Sequence, residues 1–275
     1  MQMRNDTTPT IPDCRLECLE PFGLMLQANQ DNASLQQLPL EELRQLVLKE
    51  RLLVLRGFQP FADKDSLTEY CRTWGELLEW DFGHVFEVVE HEDPKNYLFT
   101  SGSVPYHWDG AFADRTPWLQ FFQCVQAPGT AHGGETIFCD TVKVWQSAAE
   151  ATRQQWQNVT IAYSTQKVAH YGGEIRVPLI GTHPLTQEKT IRFAEPANKD
   201  TVQLNTPELA VEGIPEDQRE DFLRDLIGRV YREEFVNAHV WQSGDFVIAD
   251  NHALLHGRTP YGKKLPRKLW RVHIL

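Results

Sequence analysis

Between residues 84 and 140 the chain breaks into short runs of β-branched and aromatic residues, HVFEVVEH, NYLFTS, WLQFFQCVQ and ETIFCD, separated by Pro, Gly and Asp. The same alternation of strand formers and turn formers returns near the C-terminus in FVNAHVW, DFVIAD and RKLWRVHIL. So many strands have to hide their edges, and a closed or sandwiched antiparallel sheet does so. Helical spacing is confined to a few places. Pro39 opens LPLEELRQLVLKE, Asp63 is placed to cap a helix running to Trp74, and further helices are predicted at 141–149 and 215–231. RLLVLRG at 51–57 reads as a buried strand closed by Gly57. The predicted fold is therefore mainly β with flanking helices, as one domain over 14–275 behind a polar arm at 1–13. The stretch from about 150 to 210 is longer than an ordinary connection and is predicted to contain a lid.

Charge narrows the function. With 27 Lys+Arg against 38 Asp+Glu the net charge is −11, a surface that repels nucleic-acid backbones and anionic lipid. Neither nucleic acid nor membrane is an expected partner; a small molecule is, and homo-oligomerisation is left open. Five cysteines without framework spacing, no leader-like apolar stretch at the start and no run of about 18 apolar residues point to free thiols and a cytoplasmic location.

Chemistry concentrates in two segments. In SGSVPYHWDGAF, His107 and Asp109 are two apart, so on a strand both side chains face one point while Trp108 faces away. His91-Glu92-Asp93 repeats the pattern in a charged segment that runs into a proline and reads as an exposed turn. In DNHALLHGRTPYGKKLPRKLWRVHIL, either His252 or His256 could supply a third ligand. Arg267 and Arg271, four apart in a terminal strand, point to one face at about 13 Å separation. A buried arginine is costly unless it meets an anion, either an internal carboxylate or a ligand. Two histidines and one carboxylate with open positions form the facial triad of non-haem Fe(II) oxygenases.

These segments resemble the Fe(II)/2-oxoglutarate-dependent dioxygenases of the taurine dioxygenase (TauD/TfdA) type. The resemblance is carried by YHWDGAF at 106–112, GGET at 133–136, DN…LHGR at 250–258, and Arg267 and Arg271. It implies a double-stranded β-helix, or jelly roll. It also implies iron held by His107, Asp109 and His256, the last preferred over His252 because an arginine, Arg267, follows it by 11 residues. Arg267 and Thr136 then resemble the partners of the distal carboxylate of 2-oxoglutarate, and Arg271 a second pocket arginine for the keto acid or for an anionic substrate. In the family O₂ and 2-oxoglutarate are co-substrates; succinate and CO₂ are released as a substrate C–H bond is attacked.

Within the family, residues 80–123 look most like the paerucumarin-type isonitrile oxygenases, which act on a tyrosine-derived isonitrile by desaturation with loss of the carboxylate. Such a substrate wants aromatic walls and one cation. Tyr97, Tyr106, Trp108, Phe112 and Phe86 are candidate walls, His84 a candidate contact, and Arg271 the cation. Hydroxylation of another small carboxylate or sulfonate, a zinc hydrolase using the same triad, and a non-catalytic jelly-roll binding module are the competing expectations.

Overall fold

The computed structural model of the protein describes residues 11–30, 32–94, 97–129, 132–168, 171–196, 204 and 207–275. The strands in chain order are β1 (Cys14–Cys18), β2 (Leu24–Ala28), β3 (Leu52–Arg56), β4 (Val85–Val89), β5 (Val104–His107), β6 (Leu119–Gln126), β7 (Thr136–Asp140) and β8 (Thr160–Val168). They continue with β9 (Tyr171–Pro178), β10 (Ile180–Thr182), β11 (Lys189–Ile191), β12 (Glu208–Glu212), β13 (Val236–His239), β14 (Phe246–Asp250), β15 (Leu254–Arg258) and β16 (Lys268–Ile274). A seven-stranded sheet runs β1-β2-β3-β14-β6-β16-β4, and a four-stranded sheet β13-β7-β15-β5.

The two sheets face each other, and period-2 alternation sorts their side chains into three apolar layers. Leu52 and Val54 (β3), Phe122 and Cys124 (β6), Phe138 (β7), Val247 and Ala249 (β14), Leu254 (β15) and Leu269 (β16) fill the space between the sheets. Their strand neighbours Leu53, Leu55, Phe121, Phe246, Ile248, Val272 and Ile274 turn outward and bury the apolar faces of α1 (Leu40–Glu50) and α2 (Lys64–Trp74). On the far side Ile137, Cys139 and Leu255 pack against α3 (Thr141–Ser147), α4 (Glu150–Gln157), α5 (Arg219–Val230) and the β8–β9–β12 sheet. This is the double-stranded β-helix with outer helices that the strand pattern and the resemblance imply.

Local signals explain most boundaries. Asp63 caps α2 by accepting from Ser66 N, while the Ser66 side chain answers the Asp63 backbone. Asp140 caps α3 by accepting from Lys143 N. NYLFTS, read as a strand, is instead partly a 3-10 turn at Tyr97–Phe99. Arg258 explains that turn: its guanidinium donates to the carbonyls of Leu98, Thr100 and Gly102, so this backbone bonds to a side chain rather than to a strand.

Residues 1–10 of the predicted arm lie outside the described residues, and Ile11 is buried in the core under α1 and α2. Of the stretch read as containing a lid, α4 and β8–β11 stack behind the four-stranded sheet; 169–170, 197–203 and 205–206 lie outside the described residues.

Candidate active site

β5 and β15 are antiparallel neighbours, and their register sets His107 directly opposite His256. Both rings point between the sheets, 4.2 Å apart at their centroids. Asp109 follows β5 in a turn where Gly110 adopts φ 80°; a Cβ there would lie 2.5 Å from Pro117 Cδ. The Asn251 side chain holds this turn, accepting from Asp109 N (2.9 Å) and donating to Asp109 O (3.0 Å) and Pro117 O (2.8 Å). The ligating atoms of His107, Asp109 and His256 fall within 4.8 Å of one another, the sole such cluster of three among the described residues. His252 is not part of it: its ring contacts Arg192 and stands edge-on to His183. His91 lies on the surface, stacked on Phe99.

The electrostatics suit a divalent cation. Burial pushes the His107 and His256 imidazoles below their ordinary range, which keeps them neutral with lone pairs to offer. His107 Nδ1 lies 2.9 Å from Pro105 O, which fixes the proton there and turns Nε2 inward. Burial alone would raise the Asp109 carboxyl, but the Arg271 guanidinium, together with the hydrogen bond from His273, outweighs it and holds the group well below the usual carboxylate range. Its Oδ2 is met by Gln120 Nε2 (2.6 Å), Arg271 Nη1 (2.7 Å) and His273 Nε2 (2.8 Å). Oδ1 is left as the better placed ligand atom, 3.7 Å from His107 Nε2. Two neutral imidazoles and one carboxylate converging from one side fit Fe(II) and leave the other side open.

An anion also has a place. Arg267 is 4% exposed and, among the described residues, forms no ion pair. It donates Nε–H to Gly134 O (2.9 Å) and Nη2–H to Thr136 Oγ1 (3.3 Å), and lies over the Tyr261 ring. Burial, then the neighbouring Arg258, pushes its pKa down to about 9, the mark of a buried cation lacking a counter-ion. GGET permits this packing: a Cβ on Gly133 would sit 2.2 Å from Pro260 O, and one on Gly134 3.1 Å from Arg267 Cδ. Thr136, His107, His256, Arg267 and Arg271 line a common pocket whose apolar walls include Phe86, Leu98, Phe122 and Leu269.

Residues 19–273 match the family described as taurine catabolism dioxygenase TauD, TfdA family. The chain belongs to the TauD/TfdA family. Its similarity to a 3-((Z)-2-isocyanoethenyl)-1H-indole synthase of Fischerella ambigua is 49% identity, covering 94% of this chain and 95% of that one. It is 40% identical to a tyrosine isonitrile desaturase of Erwinia amylovora, over 92% and 87% of the two chains. The fold superposes on PvcB of Pseudomonas aeruginosa with a TM-score of 0.80 at 35% identity, covering 95% and 91%. A second PvcB structure, described as an Fe, alpha-ketoglutarate dependent oxygenase from an isonitrile synthetic pathway, gives 0.79. This TauD/TfdA member is an Fe(II)/2-oxoglutarate-dependent oxygenase with O₂ as co-substrate.

The expected substrate contacts divide. Arg271 and Phe86 line the pocket. Tyr106 and Trp108 do not: alternation along β5 sends Tyr106 to the opposite face from His107, where it packs on Tyr231, while Trp108 meets Tyr163 in the outer layer. Their proposed role as pocket walls is corrected on that ground. Phe112 is half-buried against the same outer layer. His84 precedes β4, with Nδ1 3.3 Å from Leu78 O, and is not among the pocket-lining residues. The Tyr97 side chain lies outside what the structure describes. Gln120 and His273 are polar neighbours of Asp109 that the motifs did not mark, and Asn251 lay within the DN…LHGR motif without being given a role; His273 was within reach, because Arg271 and His273 share one strand face.

Proposed function

We propose that this oxygenase takes an isonitrile made from an aromatic amino acid, a 2-isocyano-3-arylpropanoate, and converts it to the aryl vinyl isonitrile. One observation carries the reading: a buried guanidinium, Arg271, lies between two aromatic rings beside the metal-ligand cluster. Its carbon is 5.0 Å from the centroid of Phe86 and 6.0 Å from that of Phe122. Its Nη1 is on Asp109, while its Nε is buried with no hydrogen-bond partner among the described residues, which leaves the guanidinium a donor to offer a carboxylate.

In this reading His107, Asp109 and His256 hold the iron, and Arg267 with Thr136 holds the distal carboxylate of 2-oxoglutarate. Bound iron supplies oxidative decarboxylation of the keto acid and the oxidising equivalents that remove hydrogen from the substrate. Arg271 orients the substrate carboxylate, placing the neighbouring benzylic carbon toward the metal. Phe86, Phe122 and Leu269 exclude water around it. The balance closes: substrate, 2-oxoglutarate, O₂ and a proton give the vinyl isonitrile, succinate, two CO₂ and water.

Two aryl groups remain in play. A phenol is supported by the tyrosine isonitrile desaturases at 40% and 39% identity, an indole by the Fischerella ambigua synthase at 49%. Both isonitriles, supplied separately with Fe(II), ascorbate and 2-oxoglutarate in air, should be compared for succinate release and product mass. Loss of H₂ and CO₂ from either supports the proposal. A product one oxygen heavier would make the enzyme a hydroxylase, and no succinate above background with either would refute the substrate class.

A further inference from the structure

The Thr136 hydroxyl is held by more than Arg267. Trp241 follows β13, whose His239 pairs with Thr136 across the sheet, and the indole returns to place Nε1 2.9 Å from Thr136 Oγ1. Both groups are buried, Trp241 at 3% and Thr136 at 4% exposure. The indole is wedged edge-on against His239 (4.5 Å between centroids) and beside Phe122 (6.0 Å), which fixes its N–H direction.

An indole N–H can only donate, and a hydroxyl has two acceptor positions and one hydrogen. Trp241 Nε1–H takes one acceptor position and Arg267 Nη2–H the other, at 3.3 Å. What remains of the hydroxyl is its hydrogen. Among the described residues that hydrogen meets no acceptor, and Thr136 lines the pocket, so an anionic or carbonyl oxygen in the space beside Arg267 would supply one.

We propose that Trp241 is a positioning residue for the keto-acid co-substrate: by filling an acceptor site on Thr136 it commits that hydroxyl to donate to the distal carboxylate. The inference rests on the assignment of Thr136 and Arg267 to 2-oxoglutarate made above. It adds a residue that touches neither iron nor co-substrate. With Trp241 absent, the hydroxyl is free to accept a second hydrogen bond elsewhere or to rotate, and its donation is no longer prearranged.

The test is equilibrium binding to the Fe(II)-loaded enzyme without O₂, by calorimetry, using 2-oxoglutarate and 2-oxopentanoate. The second acid keeps the keto-carboxylate but lacks the distal carboxylate. Trp241→Phe is expected to weaken 2-oxoglutarate about tenfold, the worth of one hydrogen bond to a charged group, and to leave 2-oxopentanoate unchanged. In a Thr136→Val background the same substitution should have no further effect. Trp241→Met, equally without the N–H, provides the comparison if the Phe variant does not fold. Equal weakening of both acids, an undiminished loss in the Thr136→Val background, or no loss at all overturns the role of Trp241. If Thr136→Val itself leaves 2-oxoglutarate binding intact, the co-substrate assignment falls, and this inference with it.

Discussion

His273 Nε2 lies 2.8 Å from Asp109 Oδ2, and its other ring nitrogen, Nδ1, accepts the indole N–H of Trp80 at 3.1 Å. The Trp80 contact fixes the tautomer, so His273 donates to the carboxylate, and the ring that does this is 2% exposed. A metal-binding carboxylate held through one oxygen presents the other in a fixed direction. His273→Phe removes the donor while keeping a ring. The expected outcome is a ten- to hundredfold weaker metal affinity, read by Fe(II) or Co(II) titration of the apoenzyme, with the thermal melt nearly unchanged.

The two pocket arginines should separate kinetically. Arg267→Ala is expected to raise the KM for 2-oxoglutarate by at least tenfold, and Arg267→Lys to recover little, because an ammonium cannot reproduce the fork of donors. Arg271→Ala, assayed at saturating Fe(II) because Arg271 also holds Asp109, should raise the KM for the carboxylate substrate while leaving 2-oxoglutarate binding within a few-fold of the parent. Succinate assays with each reactant varied in turn check both. The same rise in both constants for either variant would contradict separate duties.

Acid should destabilise the metal-free protein before it touches most carboxylates. Burial keeps His107, His252, His256 and His273 below their ordinary pKa in the folded chain, His252 at about 4. The unfolded chain takes up these protons near pH 6.5, where the folded chain does not, so stability falls as pH drops through that value. Asp109 acts in the same direction at lower pH. Its depressed folded pKa adds stability that is complete above the ordinary carboxylate range and is lost as pH falls through the folded value. Urea midpoints at about pH 5 and about pH 7.5 should differ clearly, with the acid value lower; equal midpoints would count against neutral buried imidazoles.

Arg258 ties the 98–102 segment to β15 through three carbonyls. Arg258→Met keeps much of the side-chain bulk and removes all three bonds, at a cost of roughly 2 kcal/mol. Hydrogen exchange should accelerate in residues 97–103 and change little in β14 and β16.

The ligand cluster was legible because its information is short in range: His107 and Asp109 are two apart in one motif, although Asp109 lies in the turn after β5 rather than on the strand that was expected, and the spacing from His256 to Arg267 is a motif. The helices α1 and α2 and the strand β3 were legible for the same reason, from Pro39, Asp63 and the apolar run before Gly57. Gln120 was not, and Asn251 was seen in a motif but without its role, since their meaning depends on β6 and the turn after β14 arriving beside Asp109 from 11 and 142 residues away. Tyr106 and Trp108 mark the opposite error. Proximity to a motif suggested pocket walls, while the parity that placed His107 inside already turned Tyr106 out, and Trp108, just past the strand end, packs in the outer layer. The segment 98–102 gave a β-rich composition to a turn because nothing local announces that an arginine in β15 will bind its carbonyls.

Among the described residues β4, which carries Phe86, pairs with β16 alone and forms the rim of the seven-stranded sheet. The histidines assigned to iron in the proposal, His107 and His256, stand on β5 and β15 of the other sheet, and Arg267 is anchored at the glycine pair. In the proposed reading, one wall of the aryl pocket, Phe86, thus stands on a strand that carries none of the residues assigned to iron or to the keto acid. A lineage could retailor the contour that greets a phenol or an indole by altering this outermost ribbon, while the reaction centre is inherited intact.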